Sequence, residues 1–173
     1  YPLIGIGGLK GQTKKFACIQ WLDKVFSIVC DTPDRLPEVK LHAFAVSVSP
    51  VLWKFPWWSV DASTWTKEAG YGTVMVPRWK QGAFDYQGFY ALEVSSDNPR
   101  KHTSDKHWHA LNQGEKRAVG EWLSYCQVTL LQVQTSRFYR AKMNLLFVEG
   151  LKTTIPEYPW PYVSNYRRGF LDS

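Results

Sequence analysis

Cysteine is scarce in this chain, and the three present, Cys18, Cys30 and Cys126, are scattered, odd in number and nowhere spaced as metal ligands. That pattern excludes a disulfide scaffold and a cysteine-rich zinc site. Long apolar runs are also missing: nothing approaches the ~20 residues of a membrane span. No charged, apolar, small-residue leader is recognisable either. A soluble, cytoplasmic protein with no membrane partner is expected. Internal repeats and low-complexity tracts are absent. Acidic residues are the minority, 15 against 21 Lys and Arg, which leaves a net charge of +6.

The 173 residues are 45% hydrophobic and 16% aromatic, which excludes disorder for most of the chain and supplies one domain with a real core. The basic residues cluster at Lys14-Lys15, Arg78-Trp79-Lys80, Arg100-Lys101, Arg137 to Lys142 and Arg167-Arg168, several beside aromatics. Cations beside flat rings suit a nucleic acid, the charges taking phosphates and the rings taking unstacked bases, with Arg78, Lys80, Arg100 and Lys101 as the candidate contacts. A solvated basic surface over ordinary aromatic packing fits the same composition.

Patterning along the chain predicts alternating strand and helix in its first third, as in a parallel α/β fold. Leu3 to Leu9 reads as a buried strand running into a glycine-rich turn, and Thr13 to Val29 as a helix with Phe16, Ile19, Trp21, Leu22, Val25, Phe26 and Val29 on its apolar faces. Thr32-Pro-Asp-Arg-Leu-Pro37 breaks that helix, Val39 to Val48 is the next strand, Pro50 to Lys54 a helical turn, and Trp57 to Asp61 a third strand. Gly72 to Pro77 and Phe84 to Val94 have β composition around Lys80-Gln-Gly-Ala, which predicts a hairpin or meander. Ser95 to Lys106 is polar, with a turn at Asp97-Asn98-Pro99. From about Asn112 to Glu149 the pattern is helical with a break near Cys126 to Val128, and the proline-rich tail is expected to run extended over a surface.

The segment Phe55-Pro-Trp-Trp-Ser-Val-Asp61-Ala-Ser-Thr-Trp65 sets one carboxylate at the end of a short strand-like run. Barrel enzymes deliver catalytic side chains from strand ends in this way. An Asp before Ser and Thr also commonly caps a turn or helix, so Asp61 carries both readings. Gly5-Ile-Gly-Gly-Leu-Lys-Gly11 matches neither a P-loop nor a dinucleotide fingerprint. Gly7 and Gly8 allow close approach of a flat ligand to the backbone, or simply a tight turn at positive φ. His102, His107 and His109 lie near Asp105 without a cysteine, so phosphate contact or solvent exposure is read there and no metal is expected.

In order along the chain, Gly5-Ile-Gly-Gly-Leu-Lys-Gly, Leu36-Pro37, His42-Ala-Phe-Ala-Val-Ser and Ser59-Val-Asp-Ala-Ser-Thr-Trp resemble the later strands of the tRNA-guanine transglycosylase superfamily barrel. The last element is most similar to the phage and bacterial DNA-modifying branch, associated with 7-deazaguanine derivatives in DNA. The resemblance covers about Gly5 to Val76 and is weaker beyond. It implies the C-terminal part of a TIM-type (β/α)8 barrel over 1–76, a β-hairpin insertion over 72–94, a helical region over 112–150 and an extended tail over 151–173, in a single domain or part-domain. It further implies that the backbone of Gly7, Gly8 and Leu9 holds the purine-like base, that Phe44 stacks on it, and that Asp61 is the nucleophile. The implied enzyme is a pentosyltransferase without a cofactor, acting in a bacterial or phage-infected cell on DNA ahead of tRNA, with a 7-deazaguanine base as second substrate. The glutamate that often follows the glycine turn is not matched after Gly11, and the zinc site of the tRNA enzymes is absent, which favours the DNA branch. The early strand with a second aspartate and the strands that read the base edge are also missing. The chain opens at Tyr1 almost directly on Leu3-Ile4-Gly5-Ile6, like the middle of a fold, so another chain or segment is expected to complete the barrel. A non-catalytic nucleic-acid-binding or assembly subunit is the competing expectation, and a virion or scaffold component a third.

Overall fold

The computed structural model describes residues 2–13 and 16–164. The basic pairs Lys14-Lys15 and Arg167-Arg168, and Tyr1, lie outside the described residues. Among the described residues the protein is mixed α/β with small sheets and six α-helices, and no sheet closes into a barrel. It divides into two compact units, Tyr1–Ala62 with Ile155–Ser173, and Ser63–Thr154.

The first unit is built on three parallel strands in the order β1 (Leu3–Ile6), β2 (Lys40–Ala43), β3 (Ser59–Val60). Helix α1 (Phe16–Val29) connects the first two and the short α2 (Val51–Lys54) precedes the third. The strands are shorter than the sequence predicts. β1 stops at Ile6 because Gly8 and Gly11 turn the chain with φ of 74° and 69°. β2 stops at Ala43 because Ala45 takes a left-handed φ of 59°. Leu22 and Phe26 of α1 and Leu41 and Ala43 of β2 are all buried. Phe26 meets Phe55, Trp57 and Tyr162 with ring centroids 4.9, 4.9 and 5.8 Å away. The tail is therefore more than an extended cover. Tyr162 is fully buried, its hydroxyl donates to Asp23 Oδ1 at 2.7 Å, and the same carboxylate pairs with Lys54 at 2.7 Å through Oδ2.

The second unit is a hairpin packed under helices. β4 (Thr73–Lys80) and β5 (Ala83–Glu93) are antiparallel, joined by Gln81 and Gly82 at φ 51° and 81°. Two successive left-handed residues match the right-handed twist of the flanking strands. Pro77 has no N–H to give the ladder, and the register shifts between Pro77 and Arg78. β5 thereby swings Tyr86 out to pack against Gly150, where a side chain would collide with the ring. The helices are α3 (Thr64–Gly70), α4 (Gln113–Tyr125), α5 (Leu130–Thr135) and α6 (Arg137–Lys152). α4 and α5 open with capping boxes, Asn112 with Glu115 and Thr129 with Gln132, each side chain satisfying the other's backbone N–H. The predicted break near Cys126 to Val128 is present, with Gln127 left-handed at φ 52°. α6 runs to Lys152, so the tail starts later than expected.

Polar atoms tie this second core together. Asn144 on α6, fully buried, accepts the Met75 N–H at 2.6 Å and donates to the carbonyls of Trp65 and Thr73 at 2.9 and 3.3 Å. Arg140 donates to the carbonyls of Ala69 and Val133, both at 2.8 Å, and Trp122 Nε1 donates to the Met75 carbonyl.

Candidate active site

Three parallel strands that start in register also end together. The register pairs Ile6 with Ala43 and Ala43 with Val60, so the residues that follow, Gly7-Gly8, Phe44-Ala45 and Asp61, emerge along one carboxyl edge. Such edges are where open α/β sheets and barrels collect their functional side chains. The ladder continues into these loops: Phe44 N–H donates to the Ile6 carbonyl at 2.9 Å and Asp61 N–H to the Ala43 carbonyl at 3.1 Å. The structure thus brings Gly7, Gly8, Phe44 and Asp61 to neighbouring strand ends, although they are separated in sequence.

Each is held differently. Asp61 is exposed, and its Oδ1 accepts the N–H of Ala45 at 2.5 Å. That bond ties β3's exit to the left-handed residue at β2's exit. A non-glycine residue in that conformation costs on the order of 1 kcal/mol and marks a backbone shaped by its surroundings. Phe44 is half exposed and lies across Gly5, where an added Cβ would come within 2.5 Å of the ring. Gly5 is therefore the glycine that seats the ring. Gly7 and Gly8 face open space. Leu9 sits apart from them, its side chain in the core and its carbonyl accepting from Gln12 N–H at 3.0 Å.

Beneath Phe44 is a polar pair that the sequence reading did not single out. His42 meets the Phe44 ring edge-on at 4.5 Å, and its Nδ1 is 2.8 Å from Ser59 Oγ. The signal was available: His42 is two residues before Phe44 and Ser59 two before Asp61, and period two puts such residues on one face of a strand. Trp57 belongs to the core, with Nε1 donating to the Val51 carbonyl at 2.9 Å. Trp58 is exposed, under Lys40 Nζ at 5.0 Å.

The four basic candidates do not form one patch. Arg78 and Lys80 lie toward the hairpin end, whereas Arg100 and Lys101 follow the base, where Thr73 pairs with Glu93. Seven strand steps separate Thr73 from Lys80, roughly 20 Å of sheet at the usual rise. Arg100 lines an open cleft of about 430 Å³ with Tyr71, Ser95, Asp97 and Arg140, and Lys101 Nζ donates to the Ser96 carbonyl at 3.0 Å. The run from Arg137 to Lys142 is no phosphate stripe, because the Arg140 guanidinium is buried and spent on carbonyls.

His102, His109 and His107 form a stack, with His109 at 5.4 and 5.0 Å from the other two. Desolvation, then the charges of His107 and His102, hold His109 below the usual histidine range. Among the described residues no group of His, Cys, Asp and Glu is arranged to hold a metal. Burial pushes the Cys30 thiol up to about 11 and Cys126 to about 12, so neither is a thiolate at neutral pH.

Against known proteins, no family model, curated protein or solved structure matches this chain.

Proposed function

We propose that the protein is a transglycosylase of the tRNA-guanine transglycosylase type that exchanges guanine in DNA for a 7-deazaguanine derivative. The supporting observation is the convergence at one carboxyl edge of a carboxylate, a half-exposed aromatic ring and a glycine turn open to space. In this reading the Asp61 carboxylate attacks C1′ of the target deoxyguanosine. The C1′–N9 bond breaks, guanine leaves with that electron pair and takes a proton, and an aspartyl-glycosyl ester holds the sugar. N9 of the deazapurine then attacks C1′, the C1′–Oδ bond breaks, and the N9 proton is lost. Two substitutions at one carbon through a carboxylate ester follow the logic of retaining glycosidases.

The geometry suits these roles. The Ala45 N–H fixes Oδ1, which orients the carboxylate and leaves Oδ2 for attack. Phe44 offers a face for the base, and the peptides of Gly7 and Gly8 can approach its edge without side chains between. In this reading His42 and Ser59, 2.8 Å apart on the strands that lead to Phe44 and Asp61, supply the proton that guanine takes. The target nucleotide leaves its stack to reach such a site. Leu3, Ile4, Phe44, Trp58 and Val60 are exposed, and β1 has β2 as its sheet neighbour, so a further chain or segment completes the barrel in this reading.

One observation favours a second reading, a non-catalytic nucleic-acid-binding or assembly subunit. The same Asp61–Ala45 bond closes a loop, and an aspartate can be kept for that alone. Asp61→Asn separates the two, because an Asn Oδ1 still accepts the Ala45 N–H but makes no glycosyl ester. The test is mass analysis of nucleosides from DNA incubated with a 7-deazaguanine base and the protein together with the segment that completes its sheet. The modified nucleoside should form with the parent protein and not with Asp61→Asn, with DNA affinity and melting temperature unchanged. Equal turnover by the variant would remove Asp61 from the chemistry.

A further inference from the structure

The cleft at the base of the hairpin holds charges that base exchange does not use. Its volume of about 430 Å³ lies within the range of small-molecule sites. Apart from the Tyr71 ring and Pro99, however, the side chains that line it are polar or charged, so a ligand there is recognised through its polar groups.

Arg140 is the unusual member of that lining. Its residue is 7% exposed, and Nε and Nη1 donate to the carbonyls of Ala69 and Val133, both at 2.8 Å, which fixes the plane of the guanidinium. Those partners are neutral. Among the described residues the ion pairs are Lys54 with Asp23 and Lys152 with Glu149, so Arg140 is a cation taken out of water with no anion against it. Such an arrangement is costly unless a counter-charge arrives from outside. Burial disfavours the charge, the Asp97 carboxylate beyond ion-pair distance offsets part of that, and Arg137 adds to it. Nη2 makes neither of these bonds, yet among the described residues no side-chain nitrogen or oxygen closed to solvent lacks a partner, so Nη2 opens on the cleft that Arg140 lines.

Glu93 is the converse case. It is half-buried, its Oε2 accepts from Asn98 Nδ2 at 2.6 Å, and no cation pairs with it. Asp97 and Arg100, both exposed, complete the charged lining. The cleft thus presents two guanidiniums and two carboxylates, none of them in an ion pair. A bare anion such as phosphate would suit the first two and be repelled by the others, whereas a ligand carrying both charges answers all four. A planar guanidinium also matches a carboxylate in shape.

We propose that this cleft binds a free α-amino acid, its carboxylate held by Arg140 Nη2 and Arg100 and its ammonium by Glu93 and Asp97. The guanidinium is already fixed in place, so little side-chain freedom is lost there on binding. No residue of the Asp61 site takes part, and the proposal stands or falls independently of base exchange.

The test is equilibrium dialysis of the whole chain against an equimolar mixture of the common L-α-amino acids, read by mass spectrometry of both compartments. At least one should be enriched on the protein side. In calorimetric titration of the most enriched one, Glu93→Gln and Arg100→Gln should each weaken binding about tenfold. Gln at position 93 keeps an oxygen for Asn98 and Arg100 is exposed, so both variants should melt with the parent. Glu149→Gln, which removes an exposed carboxylate of α6, is the reference and should bind like the parent. The N-acetyl derivative and the methyl ester of the same amino acid, each lacking one charge, should also bind about tenfold more weakly. Enrichment of no amino acid, binding by Glu93→Gln within twofold of the parent, or displacement of the amino acid by equimolar inorganic phosphate would each overturn the proposal.

Discussion

The two units treat their polar backbone and apolar surface in opposite ways. In Ser63–Thr154 the hairpin lies under helices, its β4 is buried for five consecutive residues, the side chains of Asn144 and Trp122 take up N–H and C=O groups that the two-stranded sheet leaves over, and Arg140 takes up carbonyls of α3 and α5. In Tyr1–Ala62 with the tail, β1 pairs among the described residues only with β2, three of its four residues are exposed, and Leu3, Ile4, Phe44, Trp58 and Val60 lie on or beside the sheet with their apolar surface in water. Each sheet has two edge strands, but the hairpin is backed by its own helices, whereas an unpaired parallel edge flanked by exposed apolar side chains invites another strand. The apolar side chains left in water around a strand edge are those of the sheet that carries Asp61.

The largest expected effect concerns that open edge. The chain alone should self-associate, seen as a sedimentation coefficient that rises with concentration, and Leu3→Lys should restore a monodisperse particle because a charge on an edge strand opposes pairing. Concentration-independent sedimentation of the parent chain as a compact monomer would erase the contrast between the units. Next in size is Asn144→Ala, which strands the Met75 N–H in the second core and should cost about 3 kcal/mol in urea unfolding. A loss below ~1 kcal/mol would mean that the polar tie does not hold this unit together.

In the first unit the tail should matter through a single hydroxyl. Tyr162→Phe removes its bond to the Asp23 carboxylate and should cost about 1–2 kcal/mol. Burial, then the bond to Asp23, pushes the Tyr162 phenol up to about 12, and burial pushes the Cys30 thiol to about 11. Both folded values lie above the ordinary ones, so the unfolded chain ionises first as pH rises. The contribution of these two groups to stability should be level below pH 9 and then be lost as pH rises through their folded values, up to about pH 12. Tyr162→Phe should flatten the upper part of that decline, and an unchanged profile would remove Tyr162 as a contributor. The smallest effect belongs to Gln127: glycine tolerates its left-handed φ, so Gln127→Gly should raise stability by up to about 1 kcal/mol.

Legibility followed the local signals. The hairpin could be read because Gly72, Pro77 and Gln81-Gly82 punctuate it, and α1 because its apolar residues recur at helical spacing between a glycine turn and Pro33. α3 was not read: Thr64-Trp65-Thr66 are poor helix formers, Ser63 makes no side-chain cap, and the segment is held by tertiary bonds such as that from Asn144 to the Trp65 carbonyl. The split between α5 and α6 was missed although Thr129 and Gln132 have capping-box spacing. Of the site, Asp61, Phe44 and the glycine turn could be named from their order along the chain, but their meeting at one edge depends on the register of β1, β2 and β3. His42 with Ser59 is invisible until that register is known. The burial of Arg140 and Tyr162 could not be read either, since their partners are backbone and side-chain atoms remote in sequence.

The claim that Asp61 carries the sugar is tested most directly by trapping the ester. The protein with its completed sheet, incubated with guanine-containing DNA in the absence of an incoming base and quenched in acid, should yield after nuclease and protease digestion a peptide containing Asp61 that is heavier by one base-free deoxyribosyl phosphate group. The same digest of Asp61→Asn should lack it. Base exchange with no adduct on that peptide, or an adduct that survives in Asp61→Asn, would contradict the account.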